Sequence, residues 1–141
     1  MDTQAWAGRC LCGGLRYRAL GPWRHLCHCH CESCRRAAGA PSVAWGTVER
    51  AHFSLLQGQL RIVRSSPPVE RGFCADCGTT ISYAHAERAG DLDLSLASLE
   101  DPSALAPQAH IWVQDKLPWV RIDDGLPQFP QALAAHQSVG L

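Results

Sequence analysis

The chain has 141 residues, of which 46% are hydrophobic, so it is long enough to bury an apolar core within a single domain spanning residues 1–141. Its formal net charge is zero, which excludes the basic surface that binding to nucleic acid or anionic membranes usually requires. Residues 1–20 carry Asp2, Arg9 and Arg16 and contain no apolar signal-peptide core, and no stretch is long enough for a transmembrane helix. We therefore expect a cytoplasmic protein with neither nucleic-acid nor membrane partners.

Short strands separated by turns are predicted along most of the chain. Leu15, Tyr17 and Ala19 alternate with arginines, which is typical of a half-buried strand. Further strands are predicted, in chain order, at residues 42–48, 60–64, 69–73, 80–85, 91–96 and 110–113. Helix is expected only around residues 32–38 and 130–136. The sequence thus predicts a mainly β protein with little helix.

Eight cysteines fall into three tight groups, two of which are distant pairs. Cys10 and Cys12 form a C-x-C pair, and Cys74 and Cys77 form a C-x-x-C pair that is followed by Gly78. In a reducing compartment such spacing favours metal binding over disulfides. We predict that the two pairs share one closed structural zinc site, the alternative being an unrelated redox pair and a buried pair.

The third group is the dense run from Cys27 to Cys34. If the chain turns after Cys31, then Cys29, Cys31 and Cys34 converge as a compact group of three thiols. A zinc ion with three protein ligands keeps one coordination position open. Cys27 is left over, either as a small buried side chain or as an alternative ligand.

Three thiolates around a zinc ion give a formal charge of −1, which makes the ion a weaker Lewis acid than one held by three histidines. Such a site suits the binding of a substrate thiol as thiolate better than the production of hydroxide. Arg35 and Arg36 follow the run directly. They would offset the negative charge and bind a substrate carboxylate, or else form the exposed start of a helix.

Four stretches together resemble a known family. They are GRCLCGG at 8–14, CHCESCRRAAGA at 29–40, RGFCADCGT at 71–79 and HIWV at 110–113. In these motifs and in their order the chain resembles the glutathione-dependent formaldehyde-activating enzymes, a family that includes centromere protein V. The resemblance runs from about residue 8 to Leu126-Pro127 and so covers nearly the whole chain.

The resemblance implies a zinc-stapled β-tent of short antiparallel sheets. It also implies two zinc ions per chain, a structural ion held by Cys10, Cys12, Cys74 and Cys77 and a second ion held by Cys29, Cys31 and Cys34.

The implied activity is the condensation of glutathione with formaldehyde to S-(hydroxymethyl)glutathione, which in reverse is a carbon–sulfur lyase reaction. The partners would be a small thiol and an aldehyde, with glutathione as co-substrate bound through a carboxylate near Arg35 and Arg36. His30 and His110 are candidate proton donors by chemistry alone, and Trp45 and Trp112 are candidate pocket walls.

Two alternatives stay open. One is a related enzyme that uses another thiol or another small electrophile. The other is a non-enzymatic zinc module that binds a protein partner or senses redox state, and its second site would be filled, for example by Cys27.

Overall fold

Strands dominate the computed structural model, which describes residues 4–133. Within that range the elements are β1 (Ala5–Arg9), β2 (Arg16–Leu20), β3 (Arg24–Cys29), α1 (Glu32–Ala38), β4 (Val43–Glu49), β5 (Phe53–Gln57), β6 (Leu60–Ser66), β7 (Val69–Cys74), β8 (Thr80–His85), β9 (Asp91–Ser95) and β10 (His110–Ile111). No helix in this part of the chain has the length and apolar character needed to cross a membrane.

The strands form two sheets. The smaller has the order β1-β2-β5, and the larger has the order β10-β3-β4-β9-β8-β7-β6. Every pairing is antiparallel except that of β10 with β3, which is parallel. Because β10 returns beside β3, the C-terminal part of the described chain lies next to the strand that leads into the central cysteines.

The main apolar core lies where the small sheet packs on the large one. Leu15, Tyr17 and Ala19 contribute from β2 and the turn before it, and they join residues such as Leu94 and Ile81 of the large sheet. All five side chains are fully buried. Tyr17 lies over Gly8, whose missing side chain leaves room for the ring.

A second buried cluster lies on the opposite face of β3 and β4, next to α1. It contains Cys27, Cys29, Cys34, Val43 and Trp45. α1 is capped by the side chain of Cys31 at its start and ends at Gly39 in the left-handed conformation, with φ of 64°. The helix thereby folds the end of the cysteine run back over the sheet.

The mainly β prediction is confirmed, and so is the helix at residues 32–38. Two predictions near the C-terminus differ. The strand expected at 110–113 stops after Ile111, because Trp112 adopts a left-handed conformation with φ of 56°. Residues 130–133 are not helical, and the rest of the helix expected at 130–136 lies outside the described residues.

Candidate metal centres

The two distant cysteine pairs meet at one point. Cys10 and Cys12 lie in the turn after β1, and Cys74 and Cys77 lie at the end of β7 and in the turn that follows. All four Sγ atoms lie within 4.8 Å of one another. Cys12 Sγ is 3.5 Å from Cys10 Sγ and 3.9 Å from Cys74 Sγ. Tetrahedral zinc with Zn–S bonds of about 2.3 Å requires S–S edges of about 3.8 Å, so the geometry fits.

Backbone N–H groups point at these sulfurs, as expected for thiolate ligands. The N–H of Leu15 donates to Cys10 Sγ at 3.2 Å, and that of Cys77 donates to Cys74 Sγ at 3.4 Å. The Thr79 hydroxyl lies 3.2 Å from Cys77 Sγ and lowers the pKa of that thiol to about 5.

The four thiols cannot all ionise without a cation. The N–H of Gly14 favours the thiolate of Cys12, but the neighbouring Cys10 and Cys77 raise the pKa of Cys12 to about 12. A divalent ion at the centre would remove this conflict. The donor set is therefore suited to a closed zinc site.

The central run forms a separate group of three thiols. Cys29 is the last residue of β3, Cys31 caps α1, and Cys34 lies in the first turn of α1. Their Sγ atoms also lie within 4.8 Å of one another, and the N–H of Cys34 donates to Cys31 Sγ at 3.3 Å. The change from strand to helix brings these residues together, so the three positions could hold one metal ion with a fourth position left for another ligand.

Cys27 is not part of this group, as judged over the described residues. It lies on β3, is 4% exposed and packs in the cluster that contains Trp45. Burial raises the pKa of its thiol to about 12, which is the behaviour of a neutral, buried side chain. The geometry therefore favours the first of the two interpretations of Cys27 considered from the sequence.

An arginine that sequence analysis did not single out contacts the three thiols. Both terminal nitrogens of Arg71, on β7, lie 3.7 Å from Cys34 Sγ. Hydrogen bonds from Cys29 and Cys31, together with the charge of Arg71, lower the pKa of Cys34 to about 2. Arg71 directly precedes Gly72-Phe73-Cys74 in one of the family-like motifs, but only the strand register brings it to the thiols.

The three thiols border a cavity of about 1040 Å³. Its walls include Trp45, Tyr83, Arg71, Arg88 and Trp112. Trp45 and Trp112 thus both line the cavity, and Trp45 is at the same time part of the second buried cluster. A cavity of this size bordered by a thiol group is large enough for a small peptide-like molecule.

The expected proton donors lie elsewhere. His30 is 1% exposed, and its Nε2 lies 2.9 Å from Nδ1 of His110. Nε2 of His110 in turn lies 2.7 Å from the Asp124 carboxylate. Neither histidine lines the cavity, because both are buried where β3 meets β10. The position of His30 indicates that it anchors the cysteine loop rather than contacting a substrate.

The two arginines after the cysteine run have different positions. Nε of Arg35 donates to the backbone oxygen of His30 at 3.3 Å, and Arg35 does not line the cavity. Arg36 lines the cavity, and its Nε pairs with Glu32 at 2.9 Å on the exposed side of α1. Of the pair expected to bind a carboxylate, only Arg36 is placed within reach of a bound molecule.

The fold and the thiol groups define a mainly β domain with two groups of cysteines that could each hold a metal ion. The sequence model of the family described as "Glutathione-dependent formaldehyde-activating enzyme" matches residues 5–115. The chain belongs to this family, which confirms the resemblance drawn from the motifs.

Two curated proteins are similar in sequence. An uncharacterised lyase of Schizosaccharomyces pombe is 33% identical over 78 residues, which are 55% of this chain and 56% of that protein. This chain therefore matches only a little over half the length of the yeast relative. A protein of Halomonas elongata named as a putative glutathione-dependent formaldehyde-activating enzyme is 28% identical over 126 residues, which are 82% of this chain and 80% of that protein.

The fold is also found in a solved structure. A crystal structure of a Rhodobacter sphaeroides protein superposes with a TM-score of 0.56 at 17% identity, covering 87% of this chain and 98% of that one. At this identity the similarity concerns the fold alone.

Proposed function

We propose that the protein is a lyase-type enzyme that joins glutathione and formaldehyde to S-(hydroxymethyl)glutathione at the site formed by the three thiols of Cys29, Cys31 and Cys34. The observation that carries the proposal is the position of this group, with three ligands rather than four, at the wall of a cavity of about 1040 Å³. Membership of the family and the names of the two relatives support the reaction class.

The four-thiol group and the three-thiol group would have different roles. The closed group of Cys10, Cys12, Cys74 and Cys77 would hold a structural zinc ion, because four protein ligands leave no room for substrate. The group of three would hold the second zinc ion, which when bound supplies a position where a substrate thiol is kept as thiolate.

In the reaction the substrate sulfur forms a bond to the carbonyl carbon of formaldehyde, and the carbon–oxygen π electrons move to oxygen. That oxygen takes up a proton, equivalent to the one lost by the thiol, so the product is the hemithioacetal. Trp45 and Trp112 would shield the reacting atoms from bulk water. Neither His30 nor His110 lines the cavity, so neither supplies this proton, and we assign it to a water molecule held inside the cavity.

Metal analysis of three matched variants tests the two-site assignment. Wild type and Cys27→Ser should each carry two zinc ions per chain, because Cys27 is no ligand in this proposal. Cys31→Ser should keep one zinc ion and remain folded, whereas Cys74→Ser should lose most of its stability, since a structural zinc site contributes on the order of 10 kcal/mol. Equal destabilisation by Cys31→Ser and Cys74→Ser would contradict the proposal and favour a module with two structural sites.

The reaction is tested separately, because thiols add to formaldehyde without a catalyst. We expect wild type to accelerate the exchange between free formaldehyde and S-(hydroxymethyl)glutathione, as followed by exchange NMR with ¹³C-labelled formaldehyde. Cys31→Ser should give only the uncatalysed rate, and Cys27→Ser should match wild type. A wild-type rate equal to that of buffer would remove the proposed activity.

A related enzyme that uses a less anionic thiol is the second candidate, because two of the three arginines in the cavity wall are already paired with carboxylates. Arg88 pairs with Asp93 at 2.8 Å, and Arg36 pairs with Glu32 at 2.9 Å. Glutathione has two carboxylates, which would have to compete with Asp93 and Glu32 for these two arginines. The same exchange measurement is made with glutathione, cysteamine and 2-mercaptoethanol. The largest acceleration with glutathione supports the first candidate. A larger acceleration with cysteamine or 2-mercaptoethanol, which carry no carboxylate, supports the second.

A further inference from the structure

Arg71 is a buried cation without an acidic partner. Its side chain lies on β7, and the residue is 7% exposed. Within residues 4–133 no aspartate or glutamate forms an ion pair with it. A guanidinium removed from water needs a compensating negative charge nearby, since burial of an unpaired ion is costly.

The guanidinium is held by several contacts and is not free to move to another partner. Its Nε donates to the Ser65 hydroxyl at 3.2 Å, and its central carbon lies 5.0 Å from the centre of the Tyr83 ring. Arg71 and Tyr83 are directly paired between β7 and β8, so the sheet register fixes this stacking. The planar group is therefore preorganised with its two terminal nitrogens at Cys34.

Arg71 offsets the negative charge that the three thiolates would keep with a divalent ion bound. Three thiolates and one divalent ion carry −1 in total, and the guanidinium adds +1. Other arginines in the cavity wall have carboxylate partners, as Arg88 has Asp93 and Arg36 has Glu32. Arg71 is the one whose contacts lead to the thiols instead.

Not all of its donors are used. A guanidinium has five N–H groups. One bonds Ser65, and one on each terminal nitrogen is directed at Cys34 Sγ, which leaves two. These two lie on opposite sides of the planar group and diverge, so only one of them can meet a given acceptor. Arg71 lines the same cavity as the three thiols, so this donor belongs to the wall next to the position where a substrate sulfur would react.

We infer that Arg71 is the counter-cation of the three-thiol metal site and that one of its two remaining N–H groups binds the oxygen of the carbonyl substrate. The first half concerns how the chain holds the metal ion, and the second half rests on the proposed function. As the sulfur–carbon bond forms, negative charge moves to the carbonyl oxygen, and fixed N–H donors stabilise that charge more in the transition state than in the ground state. Arg71 gives up no proton, and the product oxygen is protonated by water.

Three variants separate the two roles. Arg71→Met removes the charge and the donors, and Arg71→Lys keeps the charge but not the planar, fixed set of donors. Arg61→Met on β6 is the matched control, because Arg61 is exposed and lies on the neighbouring strand. Circular dichroism and thermal melting first establish that each protein is folded with its structural zinc ion in place.

The first measurement is the affinity of the second site for zinc, by competition with a chromophoric chelator. We expect Arg71→Met to weaken this site by at least about tenfold, because one charge next to the thiolates is lost. Arg71→Lys should stay within about threefold of wild type, and Arg61→Met should not differ from it. An unchanged affinity in Arg71→Met would overturn the role as counter-cation.

The second measurement is kcat/KM for formaldehyde at saturating thiol, with the zinc site filled in every variant. Arg71→Lys should lose at least about tenfold in kcat/KM although its zinc affinity is retained, because an ammonium group on a flexible chain cannot stay at Cys34 and also hold a fixed donor at the oxygen. Full activity of Arg71→Lys would overturn the role in binding the oxygen. If Arg71→Met does not fold, the role in binding the oxygen is tested with Arg71→Lys and with Ser65→Ala, which removes the partner of Nε. A tenfold drop in kcat/KM in both variants supports this role, and wild-type values in both overturn it.

Failure of this inference can be told apart from failure of the proposed function. If wild type does not accelerate the exchange of any of the thiols tested, the proposed function is wrong and the second half of the inference is wrong with it. The zinc affinities would still decide the first half.

Discussion

Tyr17 shows how a single side chain joins the two sheets. Its ring is fully buried between them, and its hydroxyl lies 2.6 Å from the hydroxyl of Ser98, which donates to the backbone oxygen of Ser95 at 2.8 Å. Burial raises the pKa of Tyr17 to about 12, so the hydroxyl stays neutral and acts as a donor to Ser98. Polar groups this deeply buried are costly when they lose a partner.

Removing that hydroxyl should weaken the fold measurably. Tyr17→Phe is expected to lower the free energy of unfolding by about 1 kcal/mol, as measured by urea denaturation in the presence of excess zinc. Tyr83→Phe serves as the control, because Tyr83 is only half-buried and faces the cavity. Equal midpoints for Tyr17→Phe and wild type would show that the bond to Ser98 contributes nothing.

For individual residues, the sequence predicts the candidate metal ligands better than it predicts the side chains that surround them. Spacing brings Cys29, Cys31 and Cys34 together, because a strand followed by a helical turn is a local feature that a few residues determine. The contact of Arg71 with Cys34 depends on how β7 is placed relative to α1, and no pattern within either segment reveals it. His30 was a reasonable proton donor by chemistry, but its burial against His110 depends on the parallel return of β10.

Among the elements, a network of ion pairs connects β3 with β9. Asp91 Oδ1 accepts from Arg24 at 2.8 Å, and its other oxygen lies 3.4 Å from Arg88. Arg88 also binds Asp93 at 2.8 Å. Burial disfavours the carboxylate of Asp91, but the hydrogen bond and charge of Arg24 outweigh it and lower the pKa of Asp91.

The lowered pKa has a defined consequence for stability. The carboxylate stabilises the fold fully above its unfolded pKa of about 3.9, and this contribution is lost as pH falls through the lower folded value. Asp91→Asn should therefore cost about 1 kcal/mol in urea unfolding, equally at pH 7 and pH 5, with the difference narrowing only below about pH 4. Glu70→Gln, which removes a more exposed pair with Arg64 at 3.8 Å, should change stability little. If the difference in unfolding free energy between wild type and Asp91→Asn already narrows between pH 7 and pH 5, the lowered pKa of Asp91 is contradicted.

Strands with a clear alternation were predictable from the sequence, and strands without it were not. β9 repeats leucine at every second position, and the structure buries that face. β1 was missed because Gly8 reads as a turn residue, whereas here it makes room for the ring of Tyr17. β5 was missed because, as an outer strand of the small sheet, it exposes both Leu55 and Leu56.

For the whole molecule, the four-thiol group is a second connection between the sheets, besides the apolar core around Tyr17. It joins the turn after β1 of the small sheet to the end of β7 of the large one, and Cys74 follows Cys12 by 62 positions. The three-thiol group connects only neighbouring residues of β3 and α1. The two groups should therefore differ greatly in how much each contributes to folding.

Graded removal of metal should reveal that difference. A mild chelator is expected to remove one zinc ion per chain with little change in the circular dichroism spectrum or melting temperature. A stronger chelator should remove the remaining, structural ion and unfold the protein in the same step, since the binding energy of a structural zinc ion is also folding energy. Unfolding that begins with the first ion released, or a folded protein without any zinc, would contradict the assignment of the two groups.

Ala132 and Leu133 form part of the cavity wall, beside residues such as Trp112 and Ser33. A polyhistidine tail fused after Leu141 would be joined to Leu133 by only eight residues, a span of at most about 29 Å, so its imidazoles could reach the three sulfurs. Such imidazoles could supply a fourth ligand and distort both the metal count and the rate. Recombinant protein for either assay is better purified with its affinity tag at the amino end, or with the tag removed by protease.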